Sequence, residues 1–116
     1  MKILYFERSY GNSFSYYNEI KKALGKQNTL YQFADWSPIG GPEVDINNVL
    51  KRCPEKPDVI LFGFGWTDCS EESPNVVKNL DKCDIPVSVI LNKEYSALQK
   101  KLDWVKNINP AVAFTV

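Results

Sequence analysis

The chain contains no histidine, one methionine and three cysteines, and its 14 basic residues are balanced by 14 acidic ones. The absence of histidine excludes the Ser-His-Asp and Cys-His arrangements of many hydrolases, and it leaves zinc-type coordination with few ligands. A net charge of zero provides no field that would attract nucleic acid or an anionic membrane. We therefore predict no metal site and no nucleic-acid partner.

Long apolar runs are also missing from this sequence. The first run, Ile3 to Phe6, ends at Glu7 and is far shorter than a secretion signal or a membrane span of about 20 residues. Cys53, Cys69 and Cys83 are widely spaced and form no C-x-x-C pair, which is typical of reduced thiols. The sequence thus predicts a cytoplasmic protein without a membrane span.

What is present is a regular series of short apolar segments. The chain has 116 residues, of which 44% are hydrophobic, so it has room for one domain with a real core. The segments predict five β-strands: Ile3–Phe6, Thr29–Phe33, Val59–Phe64, Val87–Leu91 and Ala111–Val116. The third and fourth are almost continuously apolar, the pattern of strands buried on both faces of a parallel sheet.

Stretches with helical spacing lie between these strands. The first contains Phe14, Tyr17, Ile20 and Leu24 and ends at Gly25, while Asp45 caps a second that stops before Pro54. A third helix is predicted to begin at Ser73-Pro74, with Val76, Val77 and Leu80 facing inward. The last has an apolar stripe of Tyr95, Leu98, Leu102 and Val105, with Lys100, Lys101 and Asp103 on other faces.

The alternation of strands and helices predicts an α/β fold, a single Rossmann-like domain over residues 1–116. We expect a three-layer α/β/α sandwich around a five-stranded parallel sheet. The strand order 3-2-1-4-5 is favoured, and the flavodoxin-like order 2-1-3-4-5 is the alternative.

Candidate binding residues follow from the ends of the predicted strands, because ligands bind beyond the carboxyl ends of parallel strands. The substrate-binding candidates are Glu7, Arg8, Tyr10 and Asn12 after the first strand, Trp66 after the third, and Asn92, Lys93 and Glu94 after the fourth. Each loop also has a purely structural interpretation. The one after the first strand would be a solvated loop, and the one after the third a turn with its tryptophan packed over the sheet edge. The one after the fourth would be fixed by an internal Lys–Glu pair. No catalytic residue is assigned.

Other motifs argue against a cofactor. The stretch Gly63-Phe64-Gly65-Trp66 lacks the third glycine of the dinucleotide fingerprint and follows the wrong strand, so NAD or FAD is not expected. Asp68, Glu71 and Glu72 form a cluster typical of a solvated loop, and these acidic neighbours make Cys69 a poor nucleophile. We predict no cofactor.

Several segments resemble a known enzyme family. They are Lys2–Tyr5, Lys56–Leu61, Ile85–Tyr95 and Ala113–Thr115. Together they resemble the amino-terminal half of GT-B type glycosyltransferases, particularly CgeB-like and viral members. In that family two Rossmann-like domains face each other across a cleft; the amino-terminal one mostly binds the acceptor and the carboxy-terminal one the nucleotide-sugar donor.

The resemblance implies an acceptor-side domain that contacts a glycan or another acceptor. The donor would be held by a second domain that this chain lacks, so the chain alone is expected to be inactive and to be the amino-terminal part of a longer protein. Only Asn92, Lys93, Glu94 and Tyr95 match the family pattern closely enough to be carried over as site residues.

The competing hypothesis is a stand-alone Rossmann-like module that binds a small ligand or a protein without catalysis. A phosphoacceptor receiver ranks lower, because Glu7 has no second acidic residue beside it and Gly63-Phe64-Gly65 occupies the phosphoacceptor position. An exposed final strand would leave backbone groups unpaired, which predicts either a homodimer formed through that strand or pairing of that strand with a partner domain.

Overall fold

The computed structural model describes residues 1–8, 15–35, 44–63, 65–67, 74, 76–91 and 98–115, and these form an α/β chain. The strands are β1 (Lys2–Arg8), β2 (Thr29–Asp35), β3 (Val44–Asp45), β4 (Val59–Phe62), β5 (Val77–Lys78), β6 (Val87–Leu91) and β7 (Val112–Thr115). The helices are α1 (Ser15–Gly25), α2 (Ile46–Arg52) and α3 (Leu98–Ile108), with a 3₁₀ turn at Leu80–Lys82. None of the described helices has the length and apolar character that crossing a membrane requires.

Five strands form one parallel sheet in the order β2-β1-β4-β6-β7. They correspond to the five predicted strands, with ends that differ by a few residues. The favoured order, 3-2-1-4-5, is not the one found. It requires the third predicted strand, which is β4, to lie beside β2, whereas β4 lies on the other side of β1. Counted over this sheet alone the order reads 2-1-3-4-5, the predicted alternative. Apolar runs show that a strand is buried but not which strand lies beside it.

The helix predicted from Ser73-Pro74 is not formed over residues 76–79, and only a 3₁₀ turn follows at Leu80–Lys82. Val77–Lys78 instead pairs with Val44–Asp45 in a second, two-stranded parallel sheet. The adjacent valines at 76 and 77 favour a strand because their branched side chains restrict χ1 in a helix. Asn79 then takes a left-handed φ of 67°, which ends the strand.

The second helix begins where the sequence predicts. Asp45 is its N-cap, and its Oδ1 accepts a hydrogen bond from the Asn47 amide at 2.9 Å. The other carboxylate oxygen of Asp45 accepts from the Asn79 side-chain amide at 3.0 Å. Asp45 therefore fixes the start of α2 and ties it to the end of the small sheet.

Helix α3 is present, but its inward face is only partly the predicted one: Val105 of the predicted stripe packs against the core. Its buried residues are Lys101, Trp104 and Ile108, whereas Leu98 and Leu102 are 47% and 39% exposed. The Trp104 ring meets Phe62 edge-on with centroids 5.2 Å apart. Burying tryptophan removes more apolar surface from water than burying either leucine.

The main core lies on one face of the sheet and contains a cluster of aromatic rings. Phe6 is at its centre, with ring centroids 4.7 Å from Phe62, 5.1 Å from Phe33 and 5.3 Å from Trp66. Successive strand residues point to opposite faces, so the neighbours of Phe6 in β1, Tyr5 and Glu7, point away from this cluster. The phenol of Tyr5 and the carboxyl of Glu7 therefore lie on the other face of the sheet.

Candidate functional site

The connections of the main sheet diverge between β1 and β4. From β1 the chain continues to β2 on one side, and it later passes to β4 on the other side. In open parallel sheets such a switch point leaves a crevice beyond the carboxyl ends of the two strands, where ligands bind. Glu7 and Arg8 end β1, and Gly63 follows β4, so these residues border the expected crevice.

Main-chain pairing holds the carboxyl ends of β1 and β4 together. Phe6 of β1 pairs with Phe62 of β4, and the Gly63 amide donates to the Phe6 carbonyl at 2.9 Å. Glu7, the next residue of β1, therefore lies directly beside Gly63. The main chain, rather than flexible side chains, sets the position of the candidate site.

Tyr5 packs against Gly63 on the face opposite the aromatic core. A Cβ atom added at Gly63 would lie 2.5 Å from both Cε2 and Cζ of the Tyr5 ring. The absence of a side chain at Gly63 thus makes room for the ring of Tyr5, which is fully buried.

Three buried polar atoms of this region have no hydrogen-bond partner: the Tyr5 hydroxyl, Oε2 of Glu7 and Nε1 of Trp66. Glu7 is only 4% exposed and Trp66 is buried as well. Leaving such an atom unpaired costs about 1–3 kcal/mol, so most buried polar atoms in native proteins are paired. Two of the three atoms, those of Tyr5 and Glu7, belong to one face of one strand.

The charge state of Glu7 follows from its surroundings. Burial raises the pKa of the Glu7 carboxyl above its ordinary value of 4.5, and the nearby Tyr5 hydroxyl and Lys21 only partly oppose this effect. Burial, followed by the negative charge of Glu7, also raises the pKa of Tyr5. The Tyr5 hydroxyl is near the carboxyl but does not reach hydrogen-bond geometry. Glu7 therefore holds its proton more firmly than an exposed glutamate.

We expect the Glu7→Gln variant to be more stable than the wild type at pH 8, by about 1 kcal/mol or more. As pH rises above 4.5, the unfolded chain releases this proton before the folded chain does, so the wild type loses stability until the pH exceeds the folded pKa. Chemical denaturation from pH 4 to 8, compared with the variant, measures this loss directly.

The matched control is Glu19→Gln, because the Glu19 side chain is exposed and only joins Lys22 in a surface ion pair. Its effect should stay within about 0.5 kcal/mol at every pH. A Glu7→Gln variant that is less stable than the wild type at pH 8 would show that the carboxylate is satisfied.

Trp66 was predicted as a binding residue, and its ring lies inside the protein. It packs against Phe6, Phe33 and Phe62, so it presents no open face on which a ligand could stack. Thr67, the next residue, donates from its hydroxyl to the Ile90 carbonyl at 2.8 Å. The turn after β4 is thereby tied to β6.

The remaining predicted residues divide into two groups. Arg8 is the last residue of β1 and is in register with Asp35 of β2. Tyr10, Asn12, Asn92, Lys93 and Glu94 lie outside the described residues, so their predicted roles stay predictions. Tyr5 was missed as a site residue, although the two-residue period of β1 places it on the same face as Glu7.

Two clefts within the described residues lie away from this edge. One, of about 670 Å³, lies at the amino end of β6 between residues 80–87 and 108–111. The other, of about 260 Å³, separates β2 from α2. No group of three potential metal ligands occurs among the residues that the structure describes.

Comparison with known proteins adds no assignment. No family model, no curated protein and no solved structure matches this chain. Functional inference therefore rests on the geometry of the strand ends and on the residues found there.

Proposed function

We propose that the chain binds a small, neutral, hydroxyl-bearing ligand at the sheet edge between β1 and β4. One observation carries this proposal: the Tyr5 hydroxyl and Glu7 Oε2 are buried, unpartnered and adjacent at the point where the strand connections diverge. Sites that retain unpaired buried polar groups are destabilised without a ligand, and a ligand that pairs them recovers that free energy.

The chemistry of the two groups selects the ligand class. A phenol can donate to or accept from a ligand hydroxyl, and a carboxylate accepts from one. A phosphate would be repelled by the Glu7 carboxylate, and an ammonium group would meet the positive charge of Lys21, which acts on the same carboxyl. A polyol or sugar therefore fits best.

We further propose that this ligand is the acceptor of a GT-B-like glycosyltransferase, and that the chain is the acceptor-side domain. The resemblance of Ile85–Tyr95 and Lys56–Leu61 to that family supports this assignment. On this proposal the domain is a Rossmann-like three-layer sandwich located in the cytoplasm, and a second domain brings the nucleotide-sugar donor. The free thiols of Cys53 and Cys83 are compatible with that compartment.

The second candidate is a stand-alone α/β module that binds a ligand without catalysis. The burial of Trp66 favours it, because sugar-binding sites commonly offer an aromatic face and this ring offers none. The two candidates share the same site and differ in the ligand and in the need for a donor domain.

Titration of the ¹⁵N-labelled chain by NMR tests both candidates. We expect neutral oligosaccharides to shift the amide signals of Glu7 and Gly63, and a nucleotide-sugar to add no further shift. Shifts with simple polyols but not with oligosaccharides would favour the stand-alone module. No response of these amides to any hydroxyl-bearing ligand would refute the proposed site, and a response to the nucleotide alone would contradict the acceptor-side assignment.

The variants of Glu7 and Glu19 sharpen this test. Glu7→Gln should weaken ligand binding about tenfold while it stabilises the free protein, whereas Glu19→Gln should change neither property. Gain of stability together with loss of binding is the signature of a group kept for its ligand. A purely structural glutamate would not produce it.

A further inference from the structure

A small cleft separates the edge strand β2 from helix α2, on the face of the sheet that carries the aromatic core. Its volume is about 260 Å³. Leu4 of β1 and Val49 of α2 line its inner part and are only 1% and 5% exposed. Tyr31 and Phe33 of β2 line one side and are half-buried. The cleft therefore offers an apolar surface that is already formed.

The size and lining of the cleft limit what it can bind. An apolar cavity of about 150 Å³ is large enough to hold benzene, whereas pockets for drug-sized ligands begin at about 300 Å³. A volume between these values fits one ring with a short substituent. The aromatic side chains of Tyr31 and Phe33 favour an aromatic ring, because such rings attract one another in offset and edge-to-face arrangements.

The Arg52 guanidinium supplies a charge to this cleft. Arg52 lines the cleft from the last turn of α2, and no hydrogen bond or ion pair joins its side chain to any residue that the structure describes. Glu55, the nearest acidic residue along the chain, is paired with Lys2 instead. A guanidinium presents parallel N–H donors that match the two oxygens of a carboxylate, so Arg52 selects an anionic group.

The end of α2 opposes an anion only weakly. The last carbonyls of a helix carry partial negative charge, but two of them are already bonded here. The Leu50 carbonyl accepts from the Cys53 amide at 3.1 Å, and the Val49 carbonyl accepts from the Cys53 thiol at 3.6 Å. Burial raises the pKa of the Cys53 thiol, so this side chain of the cleft stays neutral near pH 7.

We propose that the cleft between β2 and α2 binds a small aromatic carboxylate, with its ring against Leu4 and Val49 and its carboxylate on Arg52. Tyr31 also lines the cleft, and its hydroxyl can donate a further hydrogen bond to the carboxylate. The ligand site proposed above lies on the opposite face of β1, so the two sites bind different ligands independently.

Methyl NMR with three probes tests the class of ligand. In ¹³C-methyl-labelled protein we expect phenylacetate at millimolar concentration to shift the signals of Leu4 and Val49. Phenylacetamide has the same ring without the charge and should bind about tenfold more weakly, and acetate, which lacks the ring, should cause no shift. Phenylacetamide or acetate binding as well as phenylacetate would overturn the proposed class, and no shift with any probe would refute the site.

The Arg52→Gln variant tests the role of the guanidinium. Arg52 is exposed, so the variant should fold, and it should weaken binding of phenylacetate about tenfold without changing that of phenylacetamide. Lys51→Gln is the matched control, because Lys51 is an exposed cation of the same helical turn but is not among the residues that line the cleft. Equal losses in the two variants would mean that net charge attracts the anion, which would overturn the contact with Arg52.

The amide signals of Glu7 and Gly63 separate this proposal from the previous one. They report on the carboxyl ends of β1 and β4, and we expect phenylacetate to leave them unchanged. Shifts at Leu4 and Val49 alone establish the second site whether or not the first one binds a hydroxyl-bearing ligand. Shifts confined to Glu7 and Gly63 would place the anion at the first site and refute the second.

Discussion

Replacing Phe62 with alanine is expected to lower the free energy of unfolding by about 3–5 kcal/mol. Phe62 is fully buried, and its ring is 4.7 Å from that of Phe6 and 5.2 Å from that of Trp104, measured between centroids. Truncation therefore removes contacts with β1 and α3 together and leaves a cavity between them. Urea denaturation followed by tryptophan fluorescence measures the effect.

The matched control for Phe62 is Leu98→Ala. Leu98 is 47% exposed on α3, so its truncation should cost less than about 1 kcal/mol. Similar losses for the two variants would mean that the aromatic cluster is not the main source of stability. An unfolded Phe62→Ala chain would agree with the expected loss, since small domains are stable by only about 5–15 kcal/mol.

Replacing Gly63 with alanine is expected to destabilise the protein by about 2–3 kcal/mol. The added methyl group would lie 2.5 Å from two carbon atoms of the Tyr5 ring, so the ring or the end of β4 must move. Both are held in place, because Tyr5 is fully buried and the Gly63 amide is bonded to Phe6. Denaturation midpoints of the variant and the wild type test this expectation.

A double-mutant cycle identifies the cause of that loss. Tyr5→Leu removes the ring that the methyl group meets, so Gly63→Ala should cost at least about 1 kcal/mol less in the Tyr5→Leu background than in the wild type. Additive effects would show that the glycine is required for another reason. The same pair of positions borders the proposed ligand site, so Gly63→Ala should also weaken ligand binding.

The two faces of β1 differ in how their side chains are packed. On one face of β1, Phe6 is surrounded by rings and is a source of stability. On the other face, Tyr5 and Glu7 are equally buried but carry polar atoms without partners, which lowers stability. A fold that tolerates such a pair at the switch point of its sheet is consistent with a site that is completed by a ligand.

Much of the strand pattern could be predicted from the sequence because it depends on neighbouring residues. Val87–Leu91 was predicted with its observed bounds, Asp45 caps α2 as expected, and Gly25 ends α1. These features follow from apolar runs, capping side chains and glycine, and each of them acts within a few residues.

The failed predictions depend on distant parts of the chain. Val77–Lys78 is a strand because Val44–Asp45 is available to pair with it. Helix α3 buries Lys101 in place of Leu98 because Trp104 is oriented towards Phe62. Neither partner is visible in the local pattern of residues 73–82 or 95–105.

By itself, then, the sequence determined an α/β chain with parallel strands, the carboxyl-edge position of Glu7 and the lack of histidine-based chemistry. Only the tertiary structure decided the strand order, which places β1 beside β4, and the burial of Tyr5 against Gly63. The physical reason is that local pattern fixes which surfaces must be buried, whereas the choice of partner depends on packing between segments that are far apart in the chain.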